Sequence, residues 1–166
     1  MLALWIAVLT VVADQASKEY VREVFDLHES LPFIPGFIHW VYIRNPGAAW
    51  GMMGGMNGIL VIFSLVMLGL MLAFRKSFLS DTTAHRVALG LMCGGIVGNL
   101  MDRVRMGYVT DFIDVFVGTH HWPAFNIADS AICIGVGIYL FTTARAEKRS
   151  GREPEASAPQ PGRPAE

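Results

Sequence analysis

Charge is what this sequence has least of. Only 16% of its 166 residues are Asp, Glu, Lys or Arg, while 53% are hydrophobic; an ordinary soluble domain carries about a quarter charged residues. The formal net charge of -1 gives no electrostatic case for a nucleic-acid partner. Cysteine is equally scarce. Cys93 and Cys133 both lie in apolar runs with no C-x-x-C pair, so no zinc or dithiol chemistry is expected and both read as small buried hydrophobes. The glycines of GMMGGMNG and CGGIVGN precede no phosphate-loop lysine and suit turns or close helix packing. His28, His39, His85, His120 and His121 form no H-x-x-x-H pair and read as surface or interfacial. Ser17, Ser64 and Ser130 have no companion histidine motif.

What is present is apolar length. A helix crosses a bilayer with about 20 mostly apolar residues. Leu2 to Ala13 begins such a pattern, which continues through Ala16, Tyr20, Val21 and Val24; Gly58 to Phe74 is uncharged throughout; Val87 to Met101 is glycine-rich; Ile127 to Ala144 closes the set. These predict four transmembrane helices. The first has no basic residue before its apolar run and is followed by A-D-Q-A, a poor cleavage site, so it reads as a retained span and not a signal peptide. Arg75, Lys76, Arg86, Arg145, Lys148, Arg149, Arg152 and Arg163 fall on the terminal side, against Lys18, Arg22, Arg44, Arg103 and Arg105 on the other. That bias predicts both termini in the cytoplasm. FIPGFIHWVYIRN, in the first outer loop, reads as one or two strands. Its aromatics, with Trp50, suit a cradle near the interface. The segment from Ser150 is rich in Pro, Ala, Gly and Glu and reads as a disordered tail.

Ionisable groups at membrane depth cost roughly 2.5–3.5 kcal/mol each, so each needs a reason. They come in clusters: Asp14 to Lys18, Arg44 to Gly51, Gly98 to Arg103, Val109 to Asp114 and Phe125 to Ser130. Asp14 and Lys18 share a helical face, either as a local ion pair at the membrane surface or as a support for the outer end of the first helix. Asn99 lies inside an apolar run, where an unpaired amide is costly; a hydrogen bond between helices suits it at least as well as direct chemistry. Asp111 and Asp129 lie on segments that reach the same depth on the same side. Two carboxylates in a partly desolvated site cannot both ionise easily, so one keeps a proton while the other takes one from water. That is acid–base hydrolysis without serine, cysteine, metal or cofactor. Asp114 is a competitor on the same segment, or a solvated loop carboxylate. A proton-coupled transporter or a structural membrane subunit would also use intramembrane polar residues.

In their order the clusters resemble the bacterial lipoprotein signal peptidases (signal peptidase II). D-Q-x-x-K matches at Asp14, Gln15 and Lys18; N-x-G-x-A-[FW]-G at Asn45, Gly47, Ala49, Trp50 and Gly51; G-N-x-x-D-R at Gly98, Asn99, Asp102 and Arg103; V-x-D-F at Val109, Asp111 and Phe112; F-N-x-A-D at Phe125, Asn126, Ala128 and Asp129. The resemblance runs from about Ala13 to Ile132 and, with the predicted spans, gives an all-α integral membrane protein: a four-helix peptidase domain over residues 1–149 with a small periplasmic β-rich loop region; the disordered cytoplasmic tail expected over 150–166 has no counterpart in it. The resemblance implies an aspartic endopeptidase of the inner membrane that cuts prolipoproteins before a diacylglyceryl cysteine, near the periplasmic face. Asp111 and Asp129 would be the catalytic pair. Asn45, Gly47, Asn99, Arg103 and Asn126 would shape the site or bind substrate, with Asp14, Lys18 and Asp102 in support. Prolipoproteins and membrane lipid are the implied partners; no cofactor or metal is implied.

Overall fold

A computed structural model describes residues 1–47, 54–75 and 82–150. The expectations for Ala49, Trp50, Gly51 and the tail beyond Ser150 lie outside the described residues. The elements run α1 (Leu2–Val24), β1 (Ser30–Ile34), β2 (Ile38–Asn45), α2 (Asn57–Ala73), α3 (Thr83–Met106), β3 (Val109–Val117), β4 (His120–His121) and α4 (Ile127–Ser150). All four expected helical segments form helices. Two of them, Thr83–Met106 and Ile127–Lys148, are long and apolar enough to cross a membrane, and Asn57–Ala73 is a shorter apolar helix. α3 begins earlier than the apolar run suggests because Thr82 caps it, accepting the His85 N–H at 3.3 Å. Gly107, at φ +80°, ends it in the left-handed conformation that glycine adopts without a side-chain penalty.

The all-α expectation needs correction. The chain also forms a four-stranded antiparallel sheet in the order β1-β2-β3-β4. The first loop supplies two strands, as its aromatics and β-branched residues suggest. The segment after α3 supplies the other two, and its leading strand was not legible as one. Val109, Thr110, Asp111 and Phe112 are all buried, so the alternation that marks a half-exposed strand is missing.

Burial is inverted relative to a soluble protein. Lys18, Asp14, Asp102 and Asn126 are 0% exposed, whereas Leu4, Trp5, Leu9, Ile62, Phe63, Leu140 and Phe141 are each 60% or more exposed. Water would not sustain that arrangement; a hydrocarbon surround does. α3 is the central helix, packed against α1, α2 and α4. Glycine allows the approach. A methyl at Gly94 would stand 2.7 Å from Thr10 Cβ, and one at Gly98 would stand 2.5 Å from Asp14 Oδ2. Small residues one turn apart replace the hydrophobic effect with close backbone contact. The apolar cluster of Val21, Tyr42 and Phe112 lies where the end of α1 meets the sheet. Trp40 stacks on Phe112 at 5.7 Å.

One irregularity in the sheet aims the site. β2 pairs with β3 through Trp40↔Ile113 and then Ile43↔Asp111, so β2 carries one extra residue between those pairs. A one-residue slip exchanges the two faces of a strand. Asn45 thereby shares a face with Asp111. Arg44 turns the other way, its guanidinium 5.5 Å and 5.2 Å from the Tyr42 and Tyr108 ring centres.

Candidate active site

Asp129 opens α4, and a local rule explains a carboxylate there. Asn126 Oδ1 accepts the Asp129 N–H at 3.0 Å, and Asp129 Oδ2 accepts the Asn126 N–H at 3.3 Å. This is a reciprocal capping box that satisfies orphan donors of the first turn. It leaves Asp129 Oδ1 free to accept from Asn99 Nδ2 at 2.7 Å. The same Asn126 donates its Nδ2 to Asp111 Oδ1 at 2.7 Å. A single side chain therefore links the two aspartates, contributed by β3 and α4.

Asp111 Oδ2 accepts from Asn45 Nδ2 at 2.9 Å. The register makes this a diagonal cross-strand contact, since Asn45 stands opposite Val109 and Asp111 opposite Ile43. Asn45 Oδ1 also accepts the Gly47 N–H at 3.0 Å. Asp111 is 2% exposed. Burial pushes its carboxyl up from the ordinary 3.8 to about 7, and the Asp129 charge pushes the same way; the Asn45 and Asn126 donors pull down without offsetting them. Near neutral pH Asp111 thus exchanges its proton readily.

Both aspartates line a cavity of about 270 Å³ together with Asn45, Gly47, Asn99 and Arg103. Val109, Trp122, Pro123, Ala124, Ile132 and Cys133 complete its wall. Such a cavity offers amide donors, a guanidinium and two carboxylates beside an apolar floor. It can hold a polar backbone segment whose neighbours remain in lipid, and the carboxylates can activate water there.

Three supporting residues stand behind this wall. Lys18 Nζ lies 2.8 Å from Asp14 Oδ2 and 3.4 Å from Asp102 Oδ2, with all three side chains 0% exposed. Asp14 and Lys18 thus form the expected local ion pair, but it is buried and not at the surface. Asp114 is separate from the cavity. It is three residues from Asp111 on the strand, so it projects from the opposite face, and its carboxylate meets His121 Nδ1 at 2.9 Å.

Several residues depart from their expected settings. His85 is 3% exposed rather than interfacial, and meets Thr82 Oγ1 at 2.6 Å and Thr142 Oγ1 at 3.3 Å. Cys133 is exposed and lines the cavity, while Cys93 is buried. Position explains Cys133: it follows Asp129 by four residues and so shares its helical face. Gln15 was singled out only as a motif letter. Its Nε2 donates to Gly98 O at 3.1 Å and Asp102 Oδ1 at 3.1 Å.

The inverted burial is that of a membrane protein, and it places two carboxylates at one cavity. Solved structures agree. A bacterial membrane enzyme determined by the in meso method at 2.3 Å superposes with a TM-score of 0.80 at 33% identity, covering 93% of this chain and 94% of that one. A second, at 1.9 Å, gives a TM-score of 0.73 at 34% identity, covering 85% and 91%. The sequence narrows the class. Residues 6–145 match the family model described as signal peptidase (SPase) II, and the chain belongs to that family. The lipoprotein signal peptidase of Syntrophotalea carbinolica is 43% identical over 145 residues, covering 86% of this chain and 90% of the relative. That of Syntrophus aciditrophicus is 48% identical over 134 residues, covering 77% and 83%.

Proposed function

We propose that this chain is an aspartic endopeptidase of the bacterial inner membrane, cutting signal peptides from prolipoproteins immediately before a diacylglyceryl cysteine. The observation that carries the reading is the Asn126 bridge between Asp111 and Asp129 where the sheet meets the start of α4. One carboxylate, ionised, takes a proton from water as the water attacks the scissile carbonyl. The other, protonated, donates to the carbonyl oxygen. The tetrahedral intermediate collapses as the amide nitrogen leaves with a proton from the pair. Asn45, Asn99, Arg103 and Asn126 hold the peptide and the aspartates, and the Gly47 backbone edges the cleft.

All four helices span the membrane in this reading, with both termini in the cytoplasm and the sheet on the periplasmic side. Residues 1–149 form the peptidase unit. The substrate's apolar signal helix enters sideways from lipid, and its acyl chains fix the depth of the scissile bond. Exposed apolar residues along the helices support that setting.

Purified protein in lipid or detergent, given a diacylglyceryl-modified prolipoprotein, tests the reading by release of signal peptide on a gel. Wild type should cleave. Asp111→Asn and Asp129→Asn should each lose at least roughly a hundredfold in rate, the lower range of acid–base contributions. Cleavage by both variants at the wild-type rate would remove the pair from the chemistry. Transport of a substrate without bond cleavage would favour a proton-coupled transporter.

A further inference from the structure

The buried ions behind the cavity have a geometry that close packing alone does not require. Asp14 Oδ1 accepts the backbone N–H of Ala128 at 2.9 Å, the residue before Asp129. Asp102 Oδ2 accepts the backbone N–H of Thr110 at 3.0 Å, the residue before Asp111. Each supporting carboxylate thus holds the backbone N–H of the residue before one member of the proposed pair. Lys18 Nζ stands between them, 2.8 Å from Asp14 and 3.4 Å from Asp102.

A further Lys18 contact reaches the pair through a side chain. The ammonium donates to Asn99 Oδ1 at 2.9 Å, and Asn99 Nδ2 donates to Asp129 Oδ1 at 2.7 Å. An ammonium has donors only, and an ionised carboxylate accepts only. Turning the Asn99 amide over would set NH2 against the ammonium and oxygen against the carboxylate. The cation on α1 therefore fixes which end of Asn99 faces Asp129. Asn126 Nδ2, 3.3 Å from Asn99 Oδ1, favours the same orientation.

We infer that Lys18 is a positioning residue for the catalytic pair: it couples Asp14 and Asp102, which hold the backbone before each aspartate, and sets the Asn99 amide that donates to Asp129. This rests on the assignment of Asp111 and Asp129 as the pair. Lys18 is 0% exposed; it reaches Asp129 through the Asn99 amide, and across space its charge also favours the ionised form of Asp111. Buried ion networks are often replaceable by neutral groups of similar volume without loss of stability. Stability and positioning are therefore separable by experiment.

The separating variant is the neutral trio Lys18→Met, Asp14→Asn, Asp102→Asn. Its amide oxygens still accept from Ala128 and Thr110, and no unpaired charge is left buried. Lys18→Met alone leaves buried Asp14 without its cation and Asp102 with only the Arg22 guanidinium at 3.8 Å, and should lower the yield of folded protein. In the trio we expect the thermal midpoint to recover and KM to stay within about threefold of wild type. We expect kcat to stay at least roughly tenfold down, since small misplacements of reacting groups carry losses of that order or more. Wild-type kcat in a folded trio would overturn the inference. Failure of the trio to fold would assign the network to stability and overturn it equally. Asp111→Asn and wild type run alongside: a wild type inert toward lipidated substrate overturns the catalytic reading, and this inference with it.

Discussion

Replacing Asn45 by Ala should move the pH profile in a direction opposite to simple damage. Asn45 Nδ2 donates to Asp111 Oδ2 at 2.9 Å, and that bond stabilises the ionised carboxylate. Burial and the Asp129 charge already hold the Asp111 carboxyl up at about 7; losing a donor pushes it further up. A hydrogen bond to a charged group contributes about 1.5–3 kcal/mol. At about 1.4 kcal/mol per factor of ten, the proton concentration that half-ionises Asp111 should fall roughly ten- to a hundredfold in the variant. Water entering the cavity replaces part of the lost donor, so the smaller figure is the expected one. In the proposed mechanism the pair works with a single proton, and the alkaline limb of kcat/KM marks its loss from the free enzyme. That limb should shift to higher pH in Asn45→Ala. The plateau should drop, because Asn45 Oδ1 also holds the Gly47 N–H at 3.0 Å. The assay is kcat/KM on a quenched diacylglyceryl peptide across the neutral and alkaline range. An alkaline limb that stays in place, or moves to lower pH, would show that Asn45 does not act on the titrating carboxylate.

Two further substitutions probe other parts of the design. Gly98→Ala would set its methyl 2.5 Å from Asp14 Oδ2 and 3.1 Å from Asp14 Cγ; overpacking of this kind costs about 1–3 kcal/mol, so the thermal midpoint in detergent should fall, and an unchanged midpoint would deny the close α1–α3 contact. Cys133 is exposed on the cavity wall whereas Cys93 is buried; a short alkyl maleimide should stop cleavage by wild type and spare Cys133→Ala, while inhibition of both would trace the block to another site.

The four helices were legible because each holds a long apolar run, and Gly58 to Phe74 carries no charge at all. The carboxylate pair was legible through its motifs, although the capping-box role of N-I-A-D at Asn126 to Asp129 was readable from spacing alone and was missed. The burial of Lys18 was not legible. Spacing shows that it shares a face with Asp14 but not that α3 brings Asp102 and Asn99 onto that face. The same limit hid the strand at Val109, whose buried run has no alternation. It also hid the extra residue in β2, which decides that Asn45 and not Arg44 faces Asp111. Cys133 was misread because an apolar run on a membrane helix carries no mark of which face meets protein and which meets lipid.

The strand that carries Asp111 is tied to the start of α4 by a small crosslink of backbone hydrogen bonds. Ile113 N donates to Phe125 O at 2.9 Å, and Phe125 N donates to Ile113 O at 3.0 Å. Everything between, including Trp122, Pro123 and Ala124 at the cavity wall, is the β3–β4 hairpin and its return, closed at its base. Its strands are already joined, so lengthening the turn between β3 and β4 adds only about 0.6 kcal/mol of closure entropy for each doubling. The spacing of the aspartates and the shape of the entrance are thus separately editable. A chain of this design can change what it admits by lengthening or shortening that turn, while the two aspartates of the proposed pair stay in register.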